Sequence, residues 1–127
     1  MSKKPIYTII IETHFSAAHQ LHGYPGHCGR LHGHTWKIRV EVETGQTDGL
    51  GIGLDFKQLK GITETALQPL DHHHINTVPP FDRENPTAEN LSRFLYRCIQ
   101  TALPRHARMV RVVVWESDNY AVDYRES

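Results

Sequence analysis

The side chains best equipped for chemistry in this sequence are its histidines. Ten occur in 127 residues, and most of them fall between His14 and His34 or in the run His72-His73-His74. Imidazole is both a proton carrier near neutral pH and the commonest protein metal ligand, so clustering asks for one of those two explanations. His32 and His34 flank Gly33. In a strand, residues two apart project from the same face, so both rings can converge on one point, with glycine leaving the backbone between them uncrowded. The pair shares its parity with Trp36 and Ile38. That parity predicts the covered face, where a polar ring without a partner is costly. A bare His-x-His pair is otherwise equally compatible with two exposed strand residues. Zinc takes imidazole nitrogen at about 2.0–2.1 Å, and three protein ligands leave a fourth tetrahedral position open for water or substrate, which is the catalytic arrangement. Three imidazoles also suit iron, nickel or copper.

Cys28 stands four residues before His32, in a loop with Gly23, Pro25, Gly26 and Gly29. Near a metal and histidines its pKa would fall, making it a competent base or nucleophile. Its competing role is fourth ligand of a closed structural site. Asp71 precedes His72 directly. A carboxylate beside an imidazole sets its tautomer and raises its basicity, as in a proton relay, although an Asp-His dipeptide standing alone reads first as a turn or helix end.

The elements that must position these residues follow from periodicity. Ile6 to Glu12 is rich in β-branched residues on both parities and predicts a strand buried on both faces. Gln20 to Arg30 reads as a loop, and His32 to Thr44 alternates apolar with charged residues as a half-exposed antiparallel strand. A hairpin of the two strands brings His19 opposite His32 and His34. After a glycine-rich turn at Gly45 to Gly53, Asp55 caps a helix, with Gln58 at the capping-box position and Phe56, Leu59, Ile62, Ala66, Leu67 and Leu70 as its stripe. Pro69 ends it. Thr87 caps a second helix whose stripe includes Leu91, Phe94, Leu95, Cys98 and Ile99, which makes Cys98 core. Val110 to Trp115 and Tyr120 to Tyr124 predict two further strands around Ser117-Asp118-Asn119. The order ββααββ packs as an α+β domain, a four-stranded antiparallel sheet with both helices on one face. A single domain over residues 1–127 is expected.

Fourteen basic and fourteen acidic residues cancel, so no global field recruits nucleic acid or an anionic membrane. The apolar run Ile9-Ile10-Ile11 is far too short to span a bilayer, and two cysteines do not make a disulfide scaffold. A cytoplasmic protein is expected.

Taken together, Cys28-Gly29-Arg30-Leu31-His32-Gly33-His34, Leu70-Asp71-His72, Asn85-Pro86-Thr87-Ala88-Glu89-Asn90 and Val114-Trp115-Glu116-Ser117 resemble the 6-pyruvoyl-tetrahydropterin synthase family. The similarity is strongest to its bacterial branch, the 6-carboxy-tetrahydropterin synthases of queuosine biosynthesis, whose spacing between cysteine and His-Gly-His is matched here. Ile75-Asn76 stands where the family often has Leu-Asn. The resemblance implies a tunnelling fold, with three subunits closing a barrel and two barrels stacked into a homohexamer. It implies Zn2+ on His19, His32 and His34, Cys28 as the proton-abstracting base, and Asp71 and His72 contributed from a neighbouring subunit. Glu116 would anchor the pterin ring, with Thr87 and Glu89 as further contacts. The implied reaction turns 7,8-dihydroneopterin triphosphate into 6-carboxy-tetrahydropterin, acetaldehyde and triphosphate. The alternatives are the same fold stopping at 6-pyruvoyl-tetrahydropterin, or a non-enzymatic zinc-binding module.

Overall fold

A computed structural model describes residues 3–26 and 29–127 of the chain. The elements run β1 (Tyr7–His19), β2 (His32–Thr44), α1 (Phe56–Leu67), a 3-10 turn (Ile75–Thr77), α2 (Ala88–Ala102), β3 (Ala107–Ser117) and β4 (Tyr120–Tyr124). The four strands form one antiparallel sheet in the order β1-β2-β3-β4. Both helices pack on the face carrying Phe15, Trp36, Ile38, Val40, Val112 and Val114, all essentially closed to solvent, and they contribute Leu59, Leu91, Leu95 and Ile99. Asp55 caps α1 by accepting the Lys57 N–H at 2.8 Å, and Thr87 caps α2 by accepting the Asn90 N–H at 3.1 Å.

Several readings of the sequence are corrected by tertiary context. β1 is longer than Ile6 to Glu12, because its polar and small second half, His14 to Ala18, pairs with β2 up to His19 opposite His32. It is also not buried on both faces: Ile6 and Ile10 are 69% and 40% exposed. The helices cover one face only, and β1 is an edge strand, so its even-numbered residues look outward. Phe56 begins α1 but lies 65% exposed, while Thr63, absent from the apolar stripe, is fully buried and donates its hydroxyl to Leu59 O at 2.9 Å. Cys98 is half-buried in the groove between the helices, with Ile62, Ala66 and Phe94, rather than in the core. Burial pushes its thiol pKa up.

Two bulges set the parity of β3. Glu41 pairs with Arg111 but Val42 with Met109, so Val110 is an extra residue and Met109 takes the core position. The second bulge lies between Trp115 and Ser117, at Glu116. Bulges re-aim side chains and recur beside functional sites. The sheet's other face is ionic. Glu41, only 9% exposed, is flanked by Arg39 at 2.7 Å and Arg111 at 3.4 Å.

Candidate metal centre

The hairpin brings His19 directly opposite His32, and Ala17 opposite His34, on the core-facing side of the sheet. The three rings close on one another, with centroids 4.6 Å apart for His19 and His32, 5.2 Å for His19 and His34, and 4.7 Å for His32 and His34. Trp36 forms the floor, its ring meeting those of His19 and His34 edge-on at 4.9 and 5.2 Å. His19 is wholly buried. Among the described residues, His19, His32, His34 and Glu116 form one group whose potential ligand atoms all lie within 4.8 Å of one another.

Proton placement shows that this group fits a cation. His19 Nδ1 lies 2.8 Å from Pro86 O and His32 Nδ1 lies 2.6 Å from Arg30 O. A carbonyl only accepts, so each Nδ1 carries a proton, and Nε2 is the nitrogen left to serve as a ligand. Those two Nε2 atoms face each other at 3.0 Å. A hydrogen bond between them would need one ring to be doubly protonated, and desolvation by burial lowers the His19 pKa, only partly countered by the Pro86 carbonyl. His34 Nε2 is buried with no hydrogen bond of acceptable geometry, 3.3 Å from Glu116 Oε1, and burial lowers its pKa too. Imidazole nitrogens and a carboxylate converge on one point, as a cation site requires. Nitrogens at about 2.0–2.1 Å from a tetrahedral zinc stand about 3.3 Å apart, close to the spacing here. The carbonyls on Nδ1 are the outer partners that hold metal-binding imidazoles in one tautomer.

Glu116, expected at the pterin ring, sits at its bulge on the metal side of the site, its side chain 30% exposed. Its carboxylate is grouped with the three imidazoles, its oxygen within 4.8 Å of their potential ligand nitrogens. Asp71 and His72 lie past α1, outside the group of ligand atoms. Asp71 Oδ1 accepts the Ser16 N–H at 3.0 Å and lies 2.9 Å from His72 Nδ1. The Ser16 bond holds the Asp71 carboxyl below the usual carboxylate range, and His72 adds to this against partial desolvation. His72 adopts φ 59°, and its side chain is 80% exposed. A left-handed histidine is strained, and such strain concentrates at functional positions. Thr87 is the α2 cap and Glu89 is exposed in the first turn of the same helix. Cys28 lies outside the described residues.

Sequence reasoning missed the outer partners. Pro86 O orients His19 from 67 residues away, and Asn76 and Asn85 bind the chain just after it. The motif Asn85-Pro86-Thr87 was visible, but its use as a carbonyl acceptor for His19 and an amide partner for His22 has no periodic signature.

Comparison with known proteins gives a consistent outcome. The family described as 6-pyruvoyl tetrahydropterin synthase matches residues 8–127. A dihydroneopterin monophosphate aldolase of Pyrococcus furiosus is 31% identical over 115 residues, covering 91% of this chain and 94% of the relative. A 6-carboxy-5,6,7,8-tetrahydropterin synthase of Synechocystis is 33% identical over 102 residues, covering 76% and 78%. The structure of Caenorhabditis elegans 6-pyruvoyl tetrahydropterin synthase superimposes with a TM-score of 0.84 at 24% identity, over 100% of both chains. With its strand and helix order, its histidine site and a match over nearly its whole length, this chain belongs to the 6-pyruvoyl tetrahydropterin synthase family.

Proposed function

We propose that this chain converts 7,8-dihydroneopterin triphosphate to 6-carboxy-5,6,7,8-tetrahydropterin, acetaldehyde and triphosphate, as a zinc-dependent lyase of queuosine biosynthesis. The observation that carries the reading is the convergence of three imidazoles, two of which, His19 and His32, place their outer nitrogens on main-chain carbonyls and their inner nitrogens against each other. His19, His32 and His34 would hold Zn2+. When bound, the ion supplies Lewis-acid polarisation of a substrate side-chain hydroxyl.

The remaining roles belong to the chain's own groups. Cys28 is assigned proton removal and return on the substrate side chain, supported by its place in the sequence four residues before His32. Asp71, anchored by the Ser16 N–H, fixes the His72 tautomer and leaves Nε2 facing solvent, which suits a histidine completing a neighbouring subunit's site. Glu116 would accept the two hydrogen bonds of the pterin's amidine-like edge. Thr87 and Glu89 are assigned to substrate from the start of α2. Thr87 keeps its hydroxyl proton available, since its lone pair takes the Asn90 N–H. The assembly is assigned as a homohexamer in the cytoplasm, and no helix among the described residues is long and apolar enough to cross a membrane.

The names of the relatives cover three reactions, and product mass separates them. The protein is loaded with zinc, its metal counted, and one turnover run with 7,8-dihydroneopterin triphosphate. 6-Carboxy-tetrahydropterin with acetaldehyde and triphosphate is the expected outcome. A 6-pyruvoyl product moves the assignment to elimination without carbon–carbon cleavage. Turnover confined to dihydroneopterin monophosphate moves it to an aldolase. Several metals per chain with no pterin chemistry would leave a zinc-binding module.

A further inference from the structure

The chain beyond β1 is held without a neighbouring strand. At Gln20, Asn76 Oδ1 accepts the main-chain N–H and Asn76 Nδ2 donates to the main-chain carbonyl, both at 2.8 Å. Two residues on, Asn85 repeats the arrangement at His22, accepting the N–H at 2.8 Å and donating to the carbonyl at 2.9 Å. A primary amide carries the same donor and acceptor as a peptide group, and the outward groups of a strand recur every second residue. The two side chains therefore do the work of an added strand. Both are themselves anchored: Asn76 lies in the 3-10 turn, and the Asn85 carbonyl takes the Asn90 side-chain N–H at 2.8 Å. The stapled stretch reaches across the loop, because Gln20 Nε2 donates to Gly29 O at 3.1 Å. Gly29 follows Cys28 in the chain, and a Cβ at Gly29 would collide with the Tyr24 carbonyl.

We infer that Asn76 and Asn85 are positioning residues, whose paired amide bonds to Gln20 and His22 fix the chain that follows His19, and through Gln20 also Gly29, against the three-histidine site and so set the rate of its chemistry without supplying a ligand. The inference rests on the proposed pterin chemistry with Cys28 as its proton carrier. Neither asparagine touches the ligand nitrogens directly. Their loss displaces the loop and leaves the ion's ligands in place. A misplacement of about 1 Å in a reacting group costs on the order of 10²-fold in rate.

The test uses full-length Asn76→Ala and Asn85→Ala, with Asn76→Asp and Asn85→Asp as near-isosteric companions that keep the acceptor and lose the donor should an alanine variant fail to fold. Four quantities are read: zinc per chain at saturating zinc, kcat and KM with 7,8-dihydroneopterin triphosphate, and the rate of tryptic cleavage after Arg30, followed by mass. The expected result is full zinc, KM within about threefold, kcat down by on the order of 10²-fold, and faster cleavage at Arg30. Unchanged kcat or unchanged cleavage in an active background overturns the inference, and so does loss of zinc together with kcat, which would assign the amides to the metal site. A wild type that holds zinc without turning the substrate over sinks the functional reading and this inference with it, whereas an active wild type with unaffected variants sinks the inference alone.

Discussion

His19 and His32 point their Nε2 atoms at each other across 3.0 Å while each gives its Nδ1 proton to a main-chain carbonyl, Pro86 O and Arg30 O respectively. With Nδ1 held by a carbonyl in each ring, the two Nε2 atoms are the nitrogens placed to share a cation. The hairpin register places them there, so the sheet itself builds the candidate metal centre.

His32→Ala removes one of three imidazoles from that centre. Zinc content should fall from one per chain to well below one on purification, measured by atomic absorption. Cys28→Ala should keep its zinc and lose turnover by at least about 10²-fold, as expected when a general base is deleted. Loss of zinc in Cys28→Ala would instead make the thiol a ligand.

Glu116 lies 3.3 Å from His34 Nε2 and close to all three ligand nitrogens. Glu116→Gln separates its two possible duties. As a pterin anchor it leaves the zinc stoichiometry intact, and the variant raises KM and lowers kcat for the pterin substrate. Equilibrium dialysis showing weakened zinc binding, with little change in KM, would point to a fourth ligand.

Trp36 is fully buried beneath His19 and His34 and donates its Nε1–H to Ala17 O at 3.4 Å. Trp36→Ala should destabilise the fold by about 3–5 kcal/mol, the cost of a large core cavity. Urea unfolding of the zinc-free protein reads this directly. A loss below about 1 kcal/mol would mean that the floor of the site collapses to fill the space.

The Asp71 carboxyl has its pKa lowered first by the Ser16 N–H and then by His72. A depressed folded-state pKa means that the unfolded chain binds the proton more readily. The stabilisation is thus present above the ordinary aspartate value of 3.8 and is lost as pH falls through the lower folded-state value. Thermal melting of the wild type and Asp71→Asn should differ at pH 6 and converge towards pH 3. A difference that persists undiminished at pH 3 would assign the effect to packing rather than to charge.

What could be read from the residues alone was whatever is periodic or local. Trp36, Ile38, Val40 and Val42 alternate, and all four are fully buried on the helix-covered face. Thr87 and the stripe through Leu91, Leu95 and Ile99 give α2 with its cap. His32 and His34 share a face because the pleat requires it, and a hairpin makes His19 their natural partner. Where the pattern was read too simply, context won. Phe56 fits a helical stripe yet points to solvent, and Ser16 to Ala18 lack strand propensity yet pair along β2.

Tertiary structure alone decided the rest. Val110 is displaced from the core by one bulge and a second falls at Glu116, and bulges are properties of two strands in register and not of either strand alone. The carbonyl of Pro86 and the amides of Asn76 and Asn85 reach β1 and the chain beyond it across 56 to 67 residues. A hydrogen bond between such distant positions depends on where two segments meet in space, and that meeting imposes no repeat on the order of the residues.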